Sequence, residues 1–194
     1  MKKLLKTLLI AIGSVVVLAC AGTIWFLGRG GAFRTLTPHF AGACEPLELP
    51  GSGEDIQVDR ERGFAYVSLL DRQQVIKGQT VEGTIVRLDL NASPLAPLPA
   101  IESGPEHVHP HGLSLFIESG GQRHLFVINH PAKRGVDPET VEHFVETAPG
   151  AFAHAETLRD PRMNSPNDLV AVGPRQFYVA NDKATGGWLR AMPS

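Results

Sequence analysis

The chain has 194 residues, of which 43% are hydrophobic and 20% are charged, and its formal net charge is −2. This composition is typical of a globular domain and excludes an intrinsically disordered chain. There is no basic excess that would attract a nucleic acid, so we expect no nucleic-acid partner. Gly occurs 20 times and Pro 15 times, which predicts many turns between short elements.

The N-terminus has the composition of a membrane-spanning helix. Three lysines, Lys2, Lys3 and Lys6, precede an uncharged stretch at residues 7–27. This stretch supplies the roughly 20 apolar residues that a spanning helix needs. We therefore predict that residues 1–27 anchor the chain in a membrane. The lysines predict a cytoplasmic N-terminus and an extracytoplasmic main domain, either periplasmic or extracellular.

Two alternatives to an uncleaved anchor stay open. The sequence Val-Leu-Ala-Cys at 17–20 loosely resembles a lipoprotein cleavage site, although the apolar run continues past Cys20. A cleaved signal peptide is the second alternative, but most signal peptides have a shorter apolar region. The other cysteine, Cys44, lies beyond the run, and the two cysteines show neither CxxC nor zinc-site spacing.

The rest of the chain has the pattern of an all-β protein. Residues 28–43 are predicted to be a glycine-rich linker, and residues 44–194 are predicted to form the main domain. Short alternating runs rich in β-branched and aromatic residues predict strands. The predicted strands include residues 64–69, 84–90, 113–117, 124–128 and 177–180. A turn or two of helix is predicted within residues 141–152.

Three segments of the main domain resemble one another. They open at Glu54-Asp55, at His111-Gly112 and at Asn167-Asp168. Each segment runs through alternating apolar residues, turns, and returns through an aromatic strand, and the segments start a little more than 50 residues apart. Such a period in an all-β chain is typical of propeller blades of about four strands. The innermost strands of a propeller line one channel, so we expect the opening residues to converge.

The number of copies is too small for a closed propeller. Propellers usually have 4–8 blades, and three blades would leave two sheet edges without partners. We therefore expect that the chain is truncated or that another chain completes it.

The opening residues of the segments carry two kinds of chemistry. Four of them offer oxygen donors, namely Glu54, Asp55, Asn167 and Asp168. Oxygen ligands select calcium or magnesium over zinc. The alternative is that these residues are solvated turn formers, because Asp and Asn favour turns.

Two histidines accompany these oxygen donors. His111 opens the second segment, and His130 ends its returning strand. Two neighbouring imidazoles beside a metal would form a general base and its orienting partner. The alternative is a pair of structural histidines that cap turns. His107 and His109 alternate with His111 on one strand face, which leaves a transition-metal site as a further alternative.

Four motifs, in this order, resemble the paraoxonase/arylesterase family. They are Gly53-Glu-Asp, Pro110-His-Gly-Leu-Ser, Ile128-Asn-His-Pro and Asn167-Asp-Leu-Val-Ala-Val-Gly-Pro-Arg-Gln-Phe-Tyr. The long Asn-Asp block is the most specific, and the resemblance runs from about Cys44 to Asp182. It implies a six-bladed β-propeller, of which this chain holds about three blades after one N-terminal transmembrane helix. The pattern is more distantly similar to gluconolactonase-like propellers.

The resemblance also implies a calcium-dependent site with two ions in the channel. The implied ligands are Glu54 and Asn167 for the catalytic ion, and Asp55, Asp168 and the backbone carbonyl of Leu113 for the structural ion. His111 would be the general base, with His130 behind it. The implied reaction is hydrolysis of a small aryl ester or lactone, in which water attacks a carbonyl that calcium polarises.

The chain also departs from the family pattern. The remaining ligands of the catalytic ion, an Asn and an Asp-Asn pair from later blades, are absent from this sequence. The resemblance implies a disulfide from Cys44 to a cysteine near the C-terminus, which is absent as well. An alternative function is therefore a non-catalytic, membrane-tethered propeller module that binds a ligand or partner. The sequence does not predict an oligomeric state.

We predict that the 194-residue chain is inactive on its own. Glu54 and Asn167 supply only part of the expected ligand set, so the catalytic ion would bind weakly. The check is hydrolysis of an aryl ester by the purified chain in calcium and in excess chelator. Turnover that depends on calcium would contradict the prediction.

Overall fold

The computed structural model describes residues 2–37 and 39–182. The chain forms two compact units, Met1–Glu45 and Pro46–Ser194. In the first unit, helix α1 spans Lys2–Arg29, and none of its residues is buried. α1 is long and apolar enough to cross a membrane, a test that a signal sequence also passes. It ends in a turn with Gly31 at φ +82°, a backbone conformation that glycine adopts without strain.

The second unit consists mainly of short strands. Its elements in chain order are β1 (Ser52–Asp59), β2 (Phe64–Leu70), α2 (Arg72–Ile76), β3 (Thr84–Asp89), β4 (Pro97–Pro99), β5 (Ile101–Ser103), β6 (Pro110–Ile117), β7 (Arg123–Asn129), β8 (Thr140–Ala148), β9 (Ala151–Leu158), β10 (Pro166–Gly173) and β11 (Gln176–Asn181). Asp71 caps the N-terminus of the short helix α2, and its carboxylate accepts a hydrogen bond from the amide of Gln74, as is usual at a helix N-terminus.

The strands form three sheets that correspond to the three predicted segments. Blade 1 is the antiparallel sheet β1-β2-β3-β4, and blade 2 is the antiparallel sheet β6-β7-β8-β9. β5 adds to blade 2 by pairing parallel to its outermost strand, β9. Blade 3 is the hairpin β10-β11 within the described residues. The prediction of an all-β, partial β-propeller preceded by one N-terminal helix is confirmed.

The helix predicted within residues 141–152 is wrong. This stretch lies in β8 and β9, which pair antiparallel with each other. β8 is buried at its first five residues, so both of its faces are covered and its apolar residues do not alternate. Pro149 and Gly150 separate the two strands, and Gly150 adopts φ +75°.

The apolar cores lie between neighbouring blades. β7 is buried along its whole length. Its residues Leu125 and Val127 belong to a cluster with side chains of blade 1, including Tyr66. Its residues Phe126 and Ile128 belong to a second cluster with Leu169 of blade 3. Because successive side chains of a strand point to opposite faces, β7 fills both gaps at once.

A buried ion pair joins blades 1 and 2 at the end of β1. Arg123 is 3% exposed and donates from Nε to Oδ2 of Asp59, which is 0% exposed, over 2.5 Å. Burial acts to raise the pKa of Asp59, but the hydrogen bond from Arg123 and two backbone amides outweigh burial and lower it. The carboxylate therefore stays ionised, and a charge pair fixes how the two blades face each other.

Candidate active site at the inner ends of three blades

The inner strands of the three blades share a break in pairing register near their first residues. The breaks hold Glu54 and Asp55 in β1, His111 and Gly112 in β6, and Asn167 in β10. A β-bulge of this kind bends the strand and re-aims side chains, and bulges are common beside active sites. Equivalent positions of the repeat therefore have equivalent backbone irregularities.

His111 connects all three inner strands. Its Nδ1 lies 2.8 Å from the carbonyl oxygen of Asn167, and its Nε2 lies 2.9 Å from Oε1 of Glu54. A carbonyl oxygen only accepts, so Nδ1 carries a proton. An ionised Glu54 also only accepts, so the second contact requires one further proton shared by His111 and Glu54.

Arg72 is a second cation at Glu54, and the sequence analysis did not find it. It forms an ion pair with Oε2 of Glu54, while His111 holds the other oxygen. Arg72 is the first residue of α2, which follows β2 after a single residue. The only sequence signal is a basic residue just after a strand that neighbours β1, and that signal is weak.

Asp55 and Asp168 lie on either side of the β6 backbone. The amide of Leu113 donates to Oδ2 of Asp55 over 2.8 Å. On the other side, a Cβ added at Gly112 would lie 2.7 Å from Oδ1 of Asp168 and 2.7 Å from the carbonyl oxygen of Asn167. The backbone at Gly112 thus approaches blade 3 closely, which only a glycine permits.

His130 stands directly behind His111. The ring centroids are 4.6 Å apart, and the ring planes are inclined by 63°. Nδ1 of His130 lies 2.5 Å from Oε2 of Glu139, and both side chains are only 9% exposed. Burial lowers the pKa of His130, and the nearby Glu139 opposes this only in part. The ring is therefore neutral at neutral pH and able to accept a proton.

The chemistry of the converging donors fits a hard cation such as calcium. All of the proposed side-chain ligands are oxygen donors, and the structure gathers them around the first residues of β6. They do not form a ready ligand shell. Among the described residues, no group of three or more His, Cys, Asp or Glu side chains is arranged to hold a metal. Glu54 pairs with Arg72 and His111 instead.

The neighbouring histidines of the His-rich stretch are engaged elsewhere. Nδ1 of His107 lies 2.8 Å from Oε1 of Glu82, and the histidine side chain is mostly exposed. The backbone amide of His109 donates to Oδ1 of Asn129 over 2.8 Å. These contacts attach the segment before β6 to blades 1 and 2, which places His111 at the start of its strand.

Gly112→Ala should destabilise the protein and disturb the site. Its Cβ would meet backbone and side-chain atoms of blade 3 at 2.7 Å, and overpacking of this kind costs roughly 1–3 kcal/mol. Gly120→Ala is the matched control, because no atom of the residues that the structure describes lies within 4 Å of its added Cβ. The measurement is the urea midpoint of each variant. Equal midpoints for the two variants would contradict the close approach of β6 and β10.

The comparisons with known proteins identify the family of the chain. The family described as Arylesterase matches residues 74–189, more than half of the chain. Serum paraoxonase/arylesterase 2 of Gallus gallus is 32% identical over 179 residues, which cover 88% of this chain and 49% of that protein. Serum paraoxonase/lactonase 3 of Homo sapiens is 30% identical over 191 residues, which cover 94% of this chain and 51% of that protein.

The corresponding lactonase 3 of Mus musculus is 38% identical over 146 residues, which cover 72% of this chain and 40% of that protein. The chain thus spans about half the length of the curated relatives it matches. The motifs around Glu54, His111 and Asn167 had predicted this relationship, and the chain belongs to the paraoxonase/arylesterase family.

Proposed function

We propose that the protein carrying this chain is a calcium-dependent hydrolase of small aryl esters and lactones. The names of its relatives support an esterase or lactonase at the family level. The observation that carries the proposal is the position of His111. This imidazole links Glu54 of blade 1 to Asn167 of blade 3 and has the neutral His130 behind it.

The proposed metal ligands divide into two sets by position. Glu54 and the side chain of Asn167 would hold the catalytic ion, while Asp55, Asp168 and the carbonyl of Leu113 would hold the structural ion. Calcium bound at the first set would polarise the carbonyl oxygen of the substrate and balance its developing negative charge. The distinction is supported by contacts, since Glu54 faces His111 whereas Asp55 faces the β6 backbone.

His111 is the proposed general base. The carbonyl of Asn167 keeps a proton on Nδ1, so Nε2 is the nitrogen that can take a proton from water once the proton that it shares with Glu54 has been lost to solvent. As the water O–H bond breaks, its oxygen forms a bond to the carbonyl carbon, and its proton moves to Nε2. The bond between that carbon and the alkoxide or phenolate oxygen then breaks, and the imidazolium returns the proton to the departing oxygen.

Asn167→Ala tests the catalytic set. The variant keeps the backbone carbonyl that fixes His111 and removes the side-chain carboxamide with its oxygen. We expect kcat/KM for an aryl ester to fall by about 100-fold or more in the full-length protein, because charge stabilisation in the transition state is lost. The calcium-induced rise in Tm should shrink as well.

The matched control is Asn91→Ala, whose side chain bonds to Arg62 and Asp89 in a turn of blade 1 and should leave turnover unchanged. If Asn167→Ala hydrolyses the ester like the wild type, Asn167 is not a ligand of the catalytic ion. If the wild-type protein itself hydrolyses no ester, a non-catalytic module that binds a ligand or partner is the better account.

The proposed location is a membrane, with the N-terminus in the cytoplasm and the main domain outside it. The length and composition of α1 support an anchor, and Lys2, Lys3 and Lys6 support the orientation.

Cys44 is exposed beyond the helix, so a membrane-impermeant thiol reagent should label it in intact cells, after reduction if it forms a disulfide. Cys20 lies within α1, and Cys44→Ser should remove the signal. If Cys44 is labelled only in lysed cells, the proposed orientation is wrong and the main domain lies in the cytoplasm.

A further inference from the structure

Glu139 is a nearly buried carboxylate that the mechanism above does not use. It is the last residue before β8 and closes the loop that follows His130. Its Oε2 lies 2.5 Å from Nδ1 of His130, and each side chain is only 9% exposed. Burial of a carboxylate without a partner costs free energy. The contact with His130 therefore explains why Glu139 can be nearly buried in this loop.

The contact fixes where the proton of His130 lies. A carboxylate only accepts hydrogen bonds, so Nδ1 carries the proton and Nε2 of the neutral ring holds a lone pair. Nε2 is buried and has no hydrogen-bond partner among the described residues. A buried polar atom without a partner requires an explanation. Its ring is in contact with His111, which makes Nε2 an acceptor available beside the proposed base.

Arg134 connects this pair to the loop that presents Asn167. Its Nε lies 3.4 Å from Oε1 of Glu139, and its Nη2 donates to Oγ of Ser165 over 2.9 Å. Ser165 has φ 60°, a left-handed conformation that is uncommon outside glycine. The loop between β7 and β8 therefore contacts His130 through Glu139 and the turn before Asn167 through Arg134.

We propose that Glu139 is a positioning residue that acts through His130. It holds His130 as the Nδ1–H tautomer and directs the Nε2 lone pair into the histidine pair, so that a neutral ring stands beside His111 when His111 takes a proton from water. This inference rests on the proposed hydrolase function for its kinetic consequence only.

The tautomer is measured without turnover. The probe is the full-length protein labelled with ¹⁵N-histidine, with the His130 signals assigned by their loss in His130→Gln. Long-range ¹H–¹⁵N spectra at neutral pH should show a protonated Nδ1 and an unprotonated Nε2. A proton on Nε2 in the wild type would overturn the inference, whether or not the protein hydrolyses esters.

The kinetic arm compares Glu139→Gln with Asp137→Asn, which removes the same charge from an exposed position in the same loop. Glu139→Gln should lower kcat roughly 10- to 100-fold, by analogy with the range for partners that orient metal-ligating histidines. KM should hardly change. Glu139 raises the pKa of His130, so its loss should move the acidic limb of the pH–rate profile to lower pH.

Asp137→Asn should match the wild type, and Glu139→Asp, which keeps the charge, should recover part of kcat. If Glu139→Gln keeps the wild-type kcat and pH profile, Glu139 has no positioning role. A wild-type protein that hydrolyses no ester would refute the proposed function instead, and the NMR result would still decide how Glu139 holds His130.

Discussion

The inner ends of three blades meet at one imidazole, and the candidate site depends on that meeting. His111 stands on β6 and contacts Glu54 on β1 and the carbonyl of Asn167 on β10. These groups reach one another because each inner strand begins with a break in register that turns residues out of the ladder. The site is therefore a property of how blades face each other. A displacement of one blade relative to its neighbours would therefore break the contacts between His111, Glu54 and Asn167.

Two charged contacts hold blade 1 against blade 2 at opposite ends of β1. Asp59 and Arg123 form the contact at one end, and Glu54 and His111 form the contact at the other. Removing one partner of a buried ion pair costs about 3–5 kcal/mol, because the other charge is left without compensation. Misplaced blades would incur a similar penalty at the Asp59 end. The apolar cluster favours contact between the two blades but does not fix their relative position, because the hydrophobic effect is non-directional. The ion pair fixes that position.

The sequence predicted most of the strands and the residues that converge, because both follow from periodicity. Alternation marks a strand covered on one face, and the repeat marks equivalent strand ends. The same reasoning failed at β8, where Val141, Phe144 and even Glu142 are buried. Burial raises the pKa of Glu142, but hydrogen bonds from Thr157, Thr140, Asn129 and His154 outweigh it and lower the pKa. In the sequence, a buried carboxylate whose hydrogen bonds are all made cannot be distinguished from a polar residue on the exposed face of a helix.

Arg72 and Glu139 could not be predicted from the sequence because their roles arise from loop geometry. Neither residue occupies a repeat position, and each contacts its partner through a connection whose path the sequence pattern does not determine. Arg72 also affects how the converging carboxylates could bind a cation. Glu54 is already paired with two positively charged or protonated groups, so a cation that binds there must displace at least one of them. If calcium binds as proposed, its affinity would therefore depend on Arg72 and on the proton shared with His111 as much as on the ligands themselves.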